Sequence, residues 1–182
     1  EIARLYGYDQ IPSSLLTGRT MRGGPGREDR ILSALRDWLV SCGFYETINY
    51  SFISRTSLEN LRLHEDDPLL KVIQLRNPLT VEQSIMRTTL WPGFLDGIAR
   101  NVKHGNSDQA IFELGAVFLP EELPLEQQPR ERITLGIAMV GHSFNQAWGE
   151  TKRLWDFFDL KGVVEGCLQL LGSSWEIGAS QH

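Results

Sequence analysis

The chain has 182 residues, of which 41% are hydrophobic and 23% are charged. This composition supplies enough apolar side chains for a folded core and excludes disorder as the dominant state. The net charge of −5 disfavours a free-standing nucleic-acid-binding module, and the sequence has no apolar run long enough for a helical membrane span. The first residue is Glu1 rather than Met, so we interpret the chain as a piece of a longer protein.

The first 26 residues predict a short helix and a linker. Residues 1–12 have the pattern of a helix end that is stopped by Gly7 and released at Pro12. Residues 13–26 are rich in Gly, Ser and Thr, which is typical of a linker. We therefore assign residues 1–12 to the end of a preceding small domain and residues 27–182 to a core domain.

The core domain begins with a predicted helix and a predicted strand. Residues 27–42 place apolar side chains at helical spacing. In residues 45–53, Ile48, Tyr50 and Phe52 alternate with small polar residues. This alternation is typical of a strand with one apolar face.

Three further elements are predicted in the middle of the chain. A short helix is expected over residues 56–63, a strand over 71–76 and a longer helix over 91–103. Pro78 favours an end to the strand, because the residue before a proline avoids helical geometry. Pro92 is suited to the first turn of the longer helix.

The remaining sequence predicts a β-hairpin and a final helix. Residues 110–119 and 132–140 are the two strands, joined by an acidic loop that contains proline. Asp156 is the predicted N-cap of the final helix, whose apolar stripe, beginning at Phe157, is expected to be buried. Residues 175–177 predict the start of a further strand. Because a hairpin joins the best strand pair, we predict an α+β fold with an antiparallel β-sheet flanked by helices.

Few residues of the sequence suggest a catalytic, metal-binding or disulfide-forming site. Cys42 and Cys167 lie in apolar helical patterns, and we predict buried thiols in a reducing cytoplasm rather than a disulfide. The histidines are isolated, which disfavours a zinc site. Glu113 lies in a strand of mostly apolar residues, where it either faces a cleft or pairs with an Arg on a neighbouring strand.

Five segments resemble, in the same order, stretches of the β subunits of bacterial phenylalanyl-tRNA synthetase. They are EIARLYGYDQIP, GFYETINYSF, LRNPLTVEQSIMRTTLWPGFLDGIARN, IFELGAVFLP and DFFDLKG. The similarity extends over about residues 1–171. It implies a class II aminoacyl-tRNA synthetase-like fold that is incomplete at its C-terminal side.

The resemblance also implies a place in a larger enzyme. In the family, the catalytic domain lies in the α subunit of an α2β2 enzyme, and the β subunit carries a non-catalytic copy of it. The whole enzyme is expected to contain a second αβ pair, to use ATP and Mg2+, to bind tRNA(Phe) and to act in the cytoplasm. No cofactor and no membrane contact are expected for this segment.

Two segments correspond to motifs of catalytic class II domains. Residues 27–53 resemble the first motif, which builds the subunit interface, although its usual proline is missing. The predicted interface residues are Ile31, Leu35, Trp38 and Leu39. In the second motif, Leu119 replaces the Arg that holds the α-phosphate of ATP, and leucine offers no hydrogen-bond donor to phosphate. The resemblance therefore implies a domain that does not bind ATP productively.

Glu1 matches the last carboxylate of a Mg2+ site that the family has in its preceding domain. A lone exposed carboxylate binds this strongly hydrated ion poorly, so Glu1 is expected to be a ligand only in the full-length chain. Two alternatives stay open. One is a catalytically active, ATP-using class II domain, against which Leu119 argues. The other is an independent RNA-binding module built on the six arginines of residues 1–36, against which the acidic net charge argues.

Overall fold

The fold was analysed in a computed structural model that describes residues 1–15, 18, 23–125, 127–143 and 153–172. The strand predicted over 175–177 lies outside these residues. The helices are α1 (Ile2–Tyr6), α2 (Arg27–Ser41), α3 (Arg55–Glu59), α4 (Trp91–Lys103) and α5 (Phe157–Leu170). The strands are β1 (Tyr45–Glu46), β2 (Phe52–Ile53), β3 (Ile85–Met86), β4 (Gln109–Leu119) and β5 (Arg130–Val140). Within the described residues, no helix has both the length and the apolar character to cross a membrane.

The β4–β5 hairpin is the centre of the fold, as the sequence predicted. The two strands run antiparallel over eleven residues each, with Glu113 opposite Gly136 in the register. The third strand of this sheet, β1, pairs with β4 in the parallel direction. The sheet is therefore mixed at one edge, because the chain returns to it through a long crossover that contains the β2–β3 pair and α4.

One face of the hairpin is covered by α2 and α5. The buried residues of this cluster are Leu35, Leu39, Phe44, Ala110, Phe112 and Cys167. The two helices approach each other closely where the Trp38 ring lies over Gly166, since an added Cβ at Gly166 would lie 2.2 Å from that ring. The Trp38 indole also donates a hydrogen bond of 3.4 Å to the carbonyl of Val163. The helix predicted over 27–42 is confirmed, and its apolar stripe faces the sheet.

The opposite face of the hairpin is covered by α4. Leu90 and Phe94 pack on Ile111, Val117 and Ala138, which share one face because side chains alternate along a strand. The helix predicted over 91–103 is confirmed, with Pro92 in its first turn.

The antiparallel pair β2–β3 belongs to a smaller sheet beside the hairpin. Its core consists of Ile53, Leu58, Val72 and Ile85. The strand predicted over 71–76 is wrong in extent, because only Gln74 forms an isolated bridge to Ile85. Val72 and Ile73 are nevertheless buried. The apolar pattern therefore predicted which residues are buried but not the absence of regular strand pairing.

The strand predicted over 45–53 is also wrong in its central part. Only Tyr45–Glu46 and Phe52–Ile53 are strands, and residues 47–51 between them are irregular. The physical reason is that Asn49 turns to the Glu113 carboxylate instead of continuing the pairing with β4, and backbone pairing resumes only at Ser51, whose carbonyl accepts from the Arg87 N–H in the register of β2 and β3.

The last described helix begins where the sequence predicted. The Asp156 carboxylate accepts hydrogen bonds from the backbone N–H groups of Phe158 and Asp159, at 2.7 and 3.1 Å. In turn, the Asp159 carboxylate accepts a hydrogen bond from the Asp156 N–H at 2.9 Å. Such a reciprocal cap satisfies backbone donors that the first turn of a helix leaves without partners. Phe157, predicted to be buried, is exposed, because α5 meets α2 around Val163 and Gly166 rather than at its first turn.

Candidate subunit interface

Glu113 forms a buried ion pair. Its carboxylate oxygen Oε1 lies 2.6 Å from Nη1 of Arg87, and the two side chains are 4% and 5% exposed. The prediction that Glu113 pairs with an Arg is confirmed. The Arg is not on a neighbouring strand of the same sheet, however, because Arg87 directly follows β3 of the smaller sheet.

Asn49 completes what we call the Arg87–Glu113 network, which consists of Asn49, Arg87 and Glu113. The Asn49 side-chain amide donates to the second carboxylate oxygen of Glu113 at 2.7 Å, and the Asn49 backbone N–H donates to the first at 3.4 Å. Arg87 donates from Nε to the Ala116 carbonyl at 2.9 Å. A buried pair needs such additional partners, because the attraction alone does not offset the cost of removing both charges from water.

Two glycines leave the space that the network occupies. A Cβ added to Gly115 would lie 2.3 Å from an Arg87 guanidinium nitrogen and 2.7 Å from a Glu113 carboxylate oxygen. A Cβ added to Gly93 on α4 would lie 2.8 Å from the side chain of Asn49. The sequence therefore uses glycine at both positions to allow the ion pair and the amide to approach the sheet and the helix.

The segment around the network carries four exposed apolar side chains. We call this set the 45–52 surface, and its residues are Tyr45, Ile48, Tyr50 and Phe52. Ile48 is 92% exposed and Tyr50 is 77% exposed. The alternation was correctly recognised in the sequence, but the apolar side chains point to solvent, whereas the polar Asn49 points inward to Glu113.

The structure divides the four predicted interface residues into two groups. Leu35 and Leu39 belong to the core of this chain, and Leu39 is 0% exposed. Ile31 and Trp38 are half-buried against the same core. Contact of this stripe with another subunit stays a prediction. An ion pair of 2.8 Å between Arg36 and Glu46 joins α2 to β1, so the helix and the 45–52 surface are adjacent.

The two residues predicted from cofactor motifs lie far apart in the sequence and have different surroundings. Leu119 is the last residue of β4, half-buried, with Arg130 opposite it in the register. Glu1 is exposed and its carboxylate lies 2.5 Å from the Arg4 guanidinium. Among the described residues there is no group of three or more His, Cys, Asp or Glu that could hold a metal ion.

Both cysteines are free thiols. Burial raises the pKa of the Cys42 thiol, and burial followed by the proximity of Cys42 raises the pKa of the Cys167 thiol. Because the thiolate is the reactive form, these cysteines are less reactive than exposed ones at neutral pH. Cys167 is buried as predicted, and Cys42 is half-buried.

The arrangement is suited to association rather than to reaction. Both carboxylate oxygens of Glu113 accept hydrogen bonds from Arg87 and Asn49, and the side chain is only 4% exposed, so a substrate has no access to it as a general base. Sequence reasoning missed Arg87 and Asn49 as members of this site. The available signal was Arg87 itself, a lone charge between the apolar residues Ile85, Met86 and Leu90.

Solved structures of known proteins identify the class of fold. The chain is similar to the crystal structure of pyrrolysyl-tRNA synthetase from Desulfitobacterium hafniense, with a TM-score of 0.58 and 19% identity, covering 79% of this chain and 46% of that one. A second structure of that synthetase matches with a TM-score of 0.50 and 18% identity, covering 78% and 45%. The chain therefore has the fold of the class II aminoacyl-tRNA synthetases.

Sequence comparison identifies the family within that class. The family model described as the phenylalanyl tRNA synthetase beta chain CLM domain matches residues 11–182, and the chain belongs to this family. It is 42% identical over 92% of its length to the phenylalanine–tRNA ligase beta subunit of Geobacter metallireducens, and 41% identical over its whole length to that of Syntrophotalea carbinolica. It spans 21% and 23% of those two proteins, or about a fifth of their length.

Proposed function

We propose that this chain is the non-catalytic, class II synthetase-like domain of a phenylalanine–tRNA ligase β subunit and that its role is architectural. In this proposal it holds the catalytic α subunit in an α2β2 enzyme, located in the cytoplasm, which uses ATP and Mg2+ to attach phenylalanine to tRNA(Phe). Residues 1–12 would end a preceding small domain, residues 13–26 would be a linker, and residues 27–182 would form the core. The family and the fold support this assignment.

The 45–52 surface is the observation that carries the proposal. Four apolar side chains, two of them tyrosines and one a phenylalanine, are exposed in one short segment. Aromatic residues are enriched at the centres of protein interfaces, where they bury much area and lose little side-chain entropy. The segment lies in the region that resembles the interface motif of class II domains, so we propose the α subunit as the chain that covers it. The parts of Ile31 and Trp38 that the core leaves accessible would extend the same contact.

A pair of substitutions tests this surface. Ile48→Glu with Tyr50→Glu in the full β chain, co-expressed with the α subunit, places two charges at the proposed contact without touching the core. We expect loss of the tetramer by native mass spectrometry and loss of aminoacylation. Leu123→Glu with Leu125→Glu is the matched control, because both leucines are exposed on the hairpin loop. An intact, active tetramer in the first variant would disprove the assignment of this surface.

We further propose that the domain does not activate phenylalanine. Leu119 supplies no charge for a phosphate, and Pro120 has no backbone N–H to donate. The residues present therefore do not fit a nucleotide. Isothermal titration of the purified domain with Mg–ATP, together with an amino-acid-dependent pyrophosphate exchange assay, tests this. Tight, Mg-dependent ATP binding or measurable exchange would favour the catalytic alternative.

The described residues around Glu1 do not fit a Mg2+ site either. The first turn of α1 contains no acidic residue that could share the ion, and the Glu1 carboxylate already pairs with Arg4. We propose that Glu1 becomes a ligand only together with carboxylates of the preceding domain. Measuring Mg2+ binding to the full β chain and to its Glu1→Gln variant tests this, and equal affinities would exclude Glu1 as a ligand.

A further inference from the structure

We infer that Asn49, Arg87 and Glu113 are positioning residues for subunit assembly: they fix the irregular backbone of residues 47–51 so that the 45–52 surface is presented to its partner in one conformation. This inference rests on the proposed function, since it needs the 45–52 surface to be the contact. It concerns residues that are buried and do not themselves touch the partner.

The backbone of the segment is anchored at few points, and most of them involve the network. The Thr47 N–H donates to the Phe112 carbonyl at 2.7 Å, which is the last backbone–backbone hydrogen bond between this segment and β4. Beyond it, the Asn49 N–H and side-chain amide donate to Glu113, and the Asn49 carbonyl accepts from Arg87 at 3.4 Å. The Ser51 carbonyl then accepts from the backbone N–H of Arg87 at 2.9 Å. Between these two backbone bonds, at Thr47 and Ser51, the side chains of Glu113 and Arg87 hold residue 49.

The direction of the side chains links these anchors to the exposed surface. Neighbouring residues of an extended chain point to opposite sides, so holding Asn49 inward directs Ile48 and Tyr50 outward. Without the anchor, the segment would sample several conformations, and the partner would have to select one of them. Ordering a flexible segment on binding lowers affinity, whereas a pre-ordered segment avoids that loss.

The ion pair itself is better explained by such a role than by stability. Apolar residues of similar volume often replace a buried pair without loss of stability, so its presence alone is weak support for a stabilising purpose. The pair joins the residue after β3 to the middle of β4, and through Asn49 it also holds the segment before β2. That geometry specifies where the segment lies relative to the sheet.

An exchange of donor and acceptor tests the inference. Asn49→Asp places a carboxylate against the Glu113 carboxylate, where an amide now donates at 2.7 Å. In the full β chain with the α subunit, we expect at least about tenfold weaker assembly, comparable to loss of a charged hydrogen-bond partner. Adding Glu113→Gln restores a donor and an acceptor with reversed polarity and keeps the total charge of the three residues. We therefore expect the double variant to regain most of the affinity.

Hydrogen exchange in the free β chain distinguishes a positioning role from a general contribution to stability. We expect Asn49→Asp to accelerate exchange of the amides of residues 48–52 selectively, and the double variant to reverse this. Cys167→Ala is the control for general loss of stability, because Cys167 is buried in the α2–α5 cluster away from the segment. It should lower the melting temperature without weakening assembly.

The possible results separate the two proposals. If Ile48→Glu with Tyr50→Glu leaves the tetramer intact, the proposed interface fails whatever the network does. If that variant disrupts assembly but Asn49→Asp does not, the interface stands and the positioning role is overturned. The positioning role is also overturned if Glu113→Gln fails to restore the affinity and the slow exchange that Asn49→Asp had lost.

Discussion

The two sides of the β4–β5 hairpin are held in different ways. On the side of α2 and α5, apolar side chains at helical spacing fill the space between helices and sheet, and Leu39 and Phe112 are fully buried. On the other side, α4 packs on the sheet, and beside it the Arg87–Glu113 network holds the segment before β2, whose apolar side chains are exposed. The α2–α5 side is thus held by apolar packing, whereas the segment before β2 is held by hydrogen bonds of charged and amide groups and carries an exposed apolar surface.

The difference between the two regions suggests how a synthetase fold can be used for something other than catalysis. A region that only has to be stable can be packed with apolar side chains, because burial of apolar surface is non-directional. A region that has to present a particular shape gains from hydrogen bonds, which fix distances and directions. The four predictions below test that contrast, beginning with the largest expected effect.

Arg87→Met should lower the free energy of unfolding by about 3–5 kcal/mol, because it leaves the Glu113 carboxylate buried without its counter-charge. Chemical denaturation followed by circular dichroism measures the change. Arg87→Met combined with Glu113→Met is the control, since it removes both charges and should recover most of the loss. A single variant as stable as the original chain would show that the ion pair is not closed to solvent.

Leu39→Ala should lower the free energy of unfolding by about 2–5 kcal/mol, because it leaves a cavity in the closed core between α2 and the sheet. The same denaturation experiment applies. Val40→Ala, the next residue on α2 and an exposed one, should change stability by less than about 0.5 kcal/mol. The contrast between the two sides would be lost if Leu39→Ala also accelerated hydrogen exchange selectively in residues 48–52.

Asp159 at the start of α5 should make the free energy of unfolding depend on pH in the acidic range. Hydrogen bonds from the Arg153 guanidinium, at 2.6 Å to each carboxylate oxygen, lower the pKa of Asp159 from 3.8 to about 2. Because the folded state has the lower pKa, the stabilisation is complete above pH 3.8 and is lost as the pH falls towards 2. Asp159→Asn should therefore be less stable at neutral pH and should show a flatter stability profile in this window. Identical profiles in thermal melts at several pH values would contradict the expectation.

Ile48→Ser should have the smallest effect on the free energy of unfolding of the chain alone, within about 0.5 kcal/mol, because the side chain is almost fully exposed. Ile53→Ser is the matched control five residues away, since Ile53 is buried in the cluster with Leu58 and should lose markedly more. Denaturation of both variants measures the difference. Equal losses would mean that Ile48 packs against this chain after all.

The elements that the sequence predicted well are those in which one physical signal dominates. The helices over 27–42 and 91–103 have clear apolar periodicity, the hairpin has two long apolar strands, and Asp156 has the residues of a reciprocal cap. The predictions failed over 45–53 and 71–76, where the same alternation occurs but irregular backbone contacts replace the strand ladder. Periodicity records which side chains differ in polarity, not which side of the segment meets the core.

The sequence by itself determined the order of the main elements, the N-cap of α5 and, through five ordered segments, the family. These features depend on residues close to one another in the chain. Only the tertiary structure decided that Asn49, Arg87 and Glu113 form one network and that Ile48 and Tyr50 face outward. Asn49 and Glu113 are 64 positions apart, and a contact over such a distance depends on how the sheet and the crossover pack together, which no local pattern encodes.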